Sequence, residues 1–230
     1  MRVRILSVAS TATLALIFAM VFATQARADV IFSNFGSGQT YQGASWWDVG
    51  LVTAGVPAQV VAFPFMPSET ATLTGADLAL ATVAGASSTP LNLFIEASSS
   101  GAPGMILDTL TQTGSIPVYP TTDVVNFACS GTCSTLDAGT TYWIVAQATD
   151  PANTAGWLFN NIGETGTWYF NSLNSETGPW SIATTGDTFS AFDVTGVATT
   201  PAVPEPTSLA LLGSGLLGVV AVARRKAWKS

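Results

Sequence analysis

The segment Leu91-Asn-Leu-Phe-Ile-Glu-Ala97 alternates with a period of two. Its odd-numbered residues are all apolar, whereas its even-numbered positions hold Asn92, Phe94 and Glu96. Successive side chains of a β-strand point to opposite faces, so this pattern predicts a strand with one face in a core. Gly101-Ala-Pro-Gly104 follows and predicts a turn, because Pro fixes φ and Gly tolerates positive φ.

Short runs of the same kind recur on both sides of this segment, separated by turn residues, and helix signals are nearly absent. We therefore predict one all-β domain over residues 29–198, an antiparallel β-sandwich or jelly roll of roughly ten strands without helical crossovers. The predicted strands cover residues 30–32, 59–65, 75–83, 91–97, 105–112, 124–128, 141–148, 156–159, 167–170, 180–183 and 189–194.

The charges are distributed unevenly along the chain. All seven Lys and Arg residues lie within the first 27 or the last 7 of the 230 residues. Residues 29–204 contain no Lys, Arg or His but hold 13 of the 14 carboxylates, which is a formal charge of −13 against −7 for the whole chain. A domain with this field repels anionic ligands.

The missing residue types exclude several functions. Without His there is no Ser-His-Asp triad and no imidazole metal ligand. Without Lys or Arg the domain lacks the cations that phosphoryl transfer and nucleic-acid binding require. We predict no nucleic-acid partner and no enzyme activity. Glycosidases are the enzyme class that remains open, because they need only two carboxylates.

Residues 1–28 have the features of a secretory signal peptide. Arg2 and Arg4 precede a short apolar run over residues 14–22, and Ala26-Arg27-Ala28 is a small-x-small cleavage site. We predict a signal helix that is removed after Ala28. The alternative is a transmembrane anchor, but the run is short for a span of about 20 residues.

The C-terminus has a different organisation. Residues 199–207 form a Pro-bearing linker that contains Pro204-Glu205-Pro206, and residues 208–223 are an unbroken run of apolar and small residues. We predict a single transmembrane helix over 208–223. The basic tail, residues 224–230, begins with Arg224-Arg225-Lys226 and should remain in the cytoplasm.

Together, Val203-Pro204-Glu205-Pro206, the apolar segment and Arg224-Arg225-Lys226 resemble a PEP-CTERM sorting signal. That resemblance implies recognition by an exosortase, a membrane-embedded cysteine protease-transpeptidase, in a Gram-negative organism that makes exopolysaccharide. It also implies an inner-membrane anchored precursor that moves to the cell surface or the extracellular matrix. The alternative is an ordinary stop-transfer anchor.

The middle of the chain resembles the choice-of-anchor family of bacterial surface domains, in its R type. The residues that carry the resemblance are Ser100-Gly-Ala-Pro-Gly104, Ala138-Gly-Thr-Thr-Tyr-Trp-Ile-Val-Ala146 and Ala191-Phe-Asp-Val-Thr-Gly196. It implies a β-sandwich displayed by one of several anchors, and no defined activity.

Cys129 and Cys133 lie in Cys-Ser-Gly-Thr-Cys. In an exported chain we expect them to form a disulfide, with Gly131 permitting the tight turn. The alternatives are a redox pair or a metal site, although a structural metal site takes four Cys or His ligands.

The carboxylates also suggest a calcium site, because Ca²⁺ prefers hard oxygen ligands. The candidate ligands are Asp150-Pro-Ala-Asn153 with Asn160 and Asn161, or Asp187 and Asp193. Diffuse screening by cations is the alternative, and no cofactor is otherwise expected.

Six of the seven Trp residues lie in the predicted domain and provide the other binding signal. Trp46 and Trp47 are adjacent, so in a strand one ring points outward, and Trp168, Tyr169 and Trp180 lie near predicted turns. These five rings are candidates for contacting sugars. Our first hypothesis is a non-catalytic surface or matrix protein associated with exopolysaccharide, in which the rings pack the core and rim. The second is a carbohydrate-binding module and the third a glycosidase.

Overall fold

A computed structural model of the chain describes residues 28–51, 58–84, 90–183 and 185–199. The predicted signal helix and the predicted transmembrane helix lie outside the described residues, as do the sorting motif and the basic tail. Within the described ranges, no helix is long and apolar enough to span a bilayer.

The described part of the chain contains fifteen β-strands and no helix, which confirms the all-β prediction. The number exceeds the eleven predicted ranges because one ten-residue strand was not predicted and three further strands have only two residues each. The strands are β1 (Asp29–Ser33), β2 (Tyr41–Gly50), β3 (Val60–Phe65), β4 (Ala71–Ala84), β5 (Leu91–Ser99), β6 (Ala102–Gln112), β7 (Asp123–Cys129), β8 (Thr135–Leu136), β9 (Tyr142–Ala148), β10 (Thr154–Asn160), β11 (Thr165–Gly166), β12 (Tyr169–Asn171), β13 (Ser181–Ile182), β14 (Asp187–Thr188) and β15 (Phe192–Ala198).

Thirteen strands form one antiparallel sheet in the order β1-β15-β4-β7-β6-β5-β9-β3-β12-β13, while β8 and β10 also pair with β4 and β2 pairs with β10. Gly50 and Gln59 exchange two backbone hydrogen bonds of 2.8 and 2.7 Å, which joins β2 to the start of β3. Strand pairing therefore runs from β4 through β10 and β2 to β3, and from β3 through β9, β5, β6 and β7 back to β4. The sheet thus folds over itself in a sandwich-like arrangement.

The long strand β4 connects the two parts of this sheet. Its first part lies between β15 and β7, and from Leu80 onward it pairs with β10. Gly75 allows the close approach of β7, since an added Cβ would lie 2.4 Å from the Phe127 carbonyl oxygen.

The main core lies inside the folded sheet and includes the edge-to-face pair of Phe63 and Trp157, whose ring centroids are 5.0 Å apart. Leu91, Leu93 and Ile95 of β5 enter this core, as their alternation predicted. Two smaller clusters cover outer faces of the sheet. Because one of them covers the outer face of β9, all seven residues of that strand are buried.

Two local features differ from the sequence prediction. The chain reverses at Ser100 and Gly101, whose φ angles are 54° and 82°, so the turn is shorter than residues 101–104 and Pro103 already lies in β6. Strand β2 was not predicted. Trp46 pairs with Leu158 of β10, and Tyr41 pairs with Asn160. Residues 42–45 of β2 therefore lie opposite a single residue of β10 and form a bulge, which interrupts the alternation.

Candidate functional site

Trp168 belongs to the main core, and the partly buried Trp47 packs against that core. Trp168 is 3% exposed, and its ring centroid lies 4.5 Å from that of Trp47. The Trp47 Nε1 donates to the Thr188 carbonyl at 2.9 Å, and the Trp168 Nε1 donates to Asp187 Oδ2 at 3.2 Å. Both N–H groups are thus bonded within the domain, and the two rings pack against each other.

Trp46 lies on the opposite face of β2, as alternation requires. Its ring sits over Gly156 of β10, where an added Cβ would come within 2.7 Å of the Trp46 Cγ. The Tyr119 ring, 41% exposed, has its centroid 5.1 Å from that of Trp46. Tyr41 donates its hydroxyl to Thr122 Oγ1 at 3.0 Å, and the Tyr41 and Trp46 rings both pack against the same outer cluster.

Asp48 places a carboxylate beside this aromatic pair. The Trp46 Nε1 donates to Asp48 Oδ1 at 3.0 Å. Burial raises the pKa of Asp48 above its ordinary value, and the Trp46 hydrogen bond opposes that rise. We call Tyr41, Trp46, Asp48, Tyr119 and Thr122 the Trp46 surface. It combines a partly exposed aromatic pair with a carboxylate and a hydroxyl.

A second aromatic group lies on the outer face of β5, β9 and β3, and we call it the Glu96 cluster: Glu96, Trp143, Tyr169, Glu176 and Trp180. Trp143 and Tyr169 meet edge to face at 5.2 Å, and Trp180 packs against the same apolar residues. Glu96 is 0% exposed, and neither of its oxygens has a hydrogen-bond partner among the described residues.

Burial, followed by the nearby charge of Glu176, raises the pKa of Glu96 to about 8. The carboxyl group is therefore largely protonated at neutral pH. The segment after β12 covers this face, since the Gln147 Nε2 donates to the Asn174 carbonyl at 2.7 Å and to Glu176 Oε2 at 3.1 Å. The Trp180 Nε1 is buried and has no partner in the described structure.

The predicted disulfide between Cys129 and Cys133 is confirmed, with Gly131 at φ 82° in the turn between them. Among the described residues, Asp108, Cys129 and Cys133 have potential metal-ligand atoms that lie within 4.8 Å of one another. Because the two sulfurs are bonded to each other, they offer no thiolate ligands. Asp108 instead accepts the Ser134 backbone N–H with both oxygens, at 3.2 Å each.

Most candidate calcium ligands have other partners. Asp150 accepts hydrogen bonds from the Ala152 N–H and the Asn153 side chain within its own turn. Asn160 is fully buried and bonds to the backbone of Glu164 and Phe189. The Asn161 Nδ2 donates to Thr40 Oγ1 at 2.9 Å.

The two remaining candidates do not meet. Asp187 bonds to Trp168 in the main core, while Asp193 bonds to Gln39 at the outer face of β15. The structure therefore does not bring together the predicted pair of Asp187 and Asp193.

Sequence reasoning did not identify Glu96 or Tyr119. Glu96 occupies a strand position that alternation assigns to the face away from the core, and that face becomes buried only after a distant segment covers it. Tyr119 lies in a loop, and its position beside Trp46 depends on long-range packing. The one local signal for the Glu96 cluster was the acidic Glu96 itself, which lies within an otherwise strongly apolar strand.

The processing residues predicted from the sequence all lie outside the described residues, apart from Ala28. Val203, Pro204, Glu205, Pro206, Arg224, Arg225 and Lys226 all fall within residues 202–226, which match the PEP-CTERM protein-sorting motif. No curated protein matches the chain. The motif implies a membrane-anchored precursor that an exosortase-type membrane protease processes and that is exported to the cell surface.

Proposed function

We propose that this protein is a non-catalytic component of the cell envelope or extracellular matrix, associated with exopolysaccharide. The sorting motif at residues 202–226 carries this proposal, since the motif directs the preceding domain to the surface. The domain it delivers is a β-sandwich with 13 carboxylates and no cationic side chain. Such a domain stays hydrated and self-repelling in a polysaccharide matrix. The resemblance to choice-of-anchor surface domains is consistent with a display role.

Processing at the sorting motif is the first property to test, and Glu205 is the residue to change. Two prolines around Glu205 keep the peptide extended and out of helix or sheet pairing, as a protease substrate must be. In the native host we expect the wild-type protein to lose its apolar tail and to be found at the surface or in the matrix. Glu205→Ala should accumulate full-length in the inner membrane. Mass spectrometry of cell fractions measures both properties.

Thr200→Ala provides the control, because it changes the same linker outside residues 202–226. It should be processed like the wild type. If the wild-type protein remains uncut in the membrane, the tail is a plain anchor and the matrix role loses its support.

The Trp46 surface favours a second function, specific binding of carbohydrate. The Tyr119 ring is 41% exposed beside the partly exposed Trp46, so a sugar ring could contact both. The Asp48 carboxylate, bonded to the Trp46 N–H, and the Thr122 hydroxyl, bonded to the Tyr41 hydroxyl, would exchange hydrogen bonds with sugar hydroxyls.

Affinity electrophoresis of the mature protein in gels that contain the host polysaccharide tests this function. Tyr119→Ala should weaken retardation about tenfold, which corresponds to the loss of one contact of about 1.4 kcal/mol. Leu173→Ala, which removes a 60% exposed apolar side chain elsewhere, should have no effect. Equal retardation of all three proteins would exclude the Trp46 surface, and cleavage of the polysaccharide by the wild type would revive the glycosidase hypothesis.

A further inference from the structure

Asp77 of β4 and Asp193 of β15 are direct partners across an antiparallel strand pair. Residues in that relation project from the same face of the sheet, with Cβ atoms about 4.5–5.5 Å apart. This face points away from the main core, because Phe192 and Val194 on either side of Asp193 enter that core. Two carboxylates in this arrangement repel each other unless something lies between them.

Asp193 forms the closed end of this pair. It is 2% exposed, and its Oδ1 has no hydrogen-bond partner among the described residues. Its Oδ2 accepts a hydrogen bond of 3.1 Å from Gln39 Nε2, in the loop between β1 and β2. A buried carboxylate oxygen without a partner is costly, so its retention requires an explanation.

Asp77 forms the open end, since it is only partly buried. Its Oδ1 accepts a hydrogen bond of 2.9 Å from Asn126 Nδ2, and Asn126 is its direct partner on β7. A polar row thus runs across three strands, from Gln39 over Asp193 and Asp77 to Asn126. Both ends of the row are side-chain amides, which carry an oxygen as well as the nitrogen that now donates.

The described part of the chain provides no positive side chain for this pair, because residues 29–204 contain no Lys, Arg or His. Burial raises the pKa of Asp193 to about 6. The Gln39 hydrogen bond opposes that rise, the charge of Asp77 adds to it, and the backbone N–H of Asp77 lowers the pKa again. Asp193 faces a second carboxylate across the strand pair, and no cationic side chain lies among the described residues. The compensating charge must come from solution.

We propose that Asp77 and Asp193 bind a divalent cation of the calcium type between them. The Asp193 Oδ1 and the Asp77 carboxylate are the charged ligands. Rotation of the Gln39 amide would present its oxygen to the same ion. Ca²⁺ accepts six to eight oxygens in irregular geometry, and water fills the remaining positions on the open side.

Calorimetric titration of the mature protein with CaCl₂ at pH 7.5 tests this site. Extracellular calcium modules bind with Kd values on the order of 10⁻⁴–10⁻³ M, so the titration should extend to about 10 mM. We expect one calcium ion per chain and a melting temperature that rises more in Ca²⁺ than in Mg²⁺ at equal ionic strength. Asp193→Asn and Asp77→Asn should each weaken Ca²⁺ binding at least tenfold.

A folding measurement and a control variant separate loss of the calcium site from loss of the fold. Circular dichroism shows whether each variant is folded, and Asp77→Asn is the safer one because Asp77 is partly exposed. Asp123→Asn removes an exposed carboxylate from β7 and should bind Ca²⁺ like the wild type. The proposal is wrong if wild-type melting is the same in Ca²⁺, Mg²⁺ and EDTA, or if folded variants keep the wild-type affinity. A pair that shares a proton instead would show the first of these results.

Discussion

Glu96 is an ionisable group in an apolar environment. Its strand neighbours across the sheet are Trp143 on β9 and Ile106 on β6. Burial of an unpaired carboxylate is strongly unfavourable, so the group remains protonated to higher pH than a surface acid. The alternation of β5 correctly assigned Glu96 to the face away from the main core. It did not reveal that this face is covered, because the covering residues lie far along the chain.

The pH dependence of stability tests this description. The ordinary pKa of Glu96 is 4.5 and its pKa in the folded protein is about 8. Between these values the unfolded chain releases the proton and the folded protein retains it, so stability falls as pH rises. Glu96→Gln should remove most of the loss between pH 6 and 8, above the range in which Asp193 contributes.

Urea unfolding at pH 6 and pH 8 provides the measurement. Glu69→Gln, in the loop before β4 where the side chain is partly exposed, should keep the wild-type pH dependence. An unchanged slope in Glu96→Gln would show that the carboxyl group finds a partner that compensates its charge.

Strand β10 is placed between β4 and β2 and determines where Trp46 lies. Gly156 is central to that arrangement, because the Trp46 ring occupies the space that a side chain would fill. The sequence indicated a strand over 156–159 but gave no reason for a glycine within it. The reason is a cross-strand contact with a residue that the alternation pattern had not placed in any strand.

Gly156→Ala should therefore destabilise the domain by about 1–3 kcal/mol, the usual cost of overpacking. Its Cβ would meet Trp46 Cγ at 2.7 Å and Cδ1 at 2.9 Å. Gly114→Ala is the matched control, since its Cβ would lie 3.8 Å from Val125 Cγ1 in ordinary contact. Chemical denaturation measures both changes. Equal stability of the two variants would mean that Trp46 moves aside freely, and the Trp46 surface would lose its fixed geometry.

At the scale of the whole domain, the closed sheet and the all-acidic charge together determine how its buried carboxylates are compensated. The sheet closes on itself through the Gly50–Gln59 hydrogen bonds, so one sheet provides both walls around the main core. The domain carries all of its charge as carboxylates, and the cations reside in the terminal segments that are predicted to direct export. After processing, such a domain depends on protons or dissolved cations to offset its buried acids. Glu96 retains a proton, and the Asp77–Asp193 pair is proposed to bind a dissolved cation.

Period-two alternation and the turn residues were sufficient to predict an antiparallel all-β domain, and two closely spaced cysteines in an exported chain predicted the disulfide. The sorting motif was identified by its resemblance to PEP-CTERM signals. These are local properties, because a strand's facing pattern and a short motif are written in consecutive residues. The pairing of Asp77 with Asp193, the burial of Glu96 and the contact of Trp46 with Tyr119 are not local. Each depends on the register between segments far apart in the chain, and a shift of one residue would turn every side chain to the other face. The candidate sites therefore arise from packing, whereas the strands that carry them follow from composition and spacing.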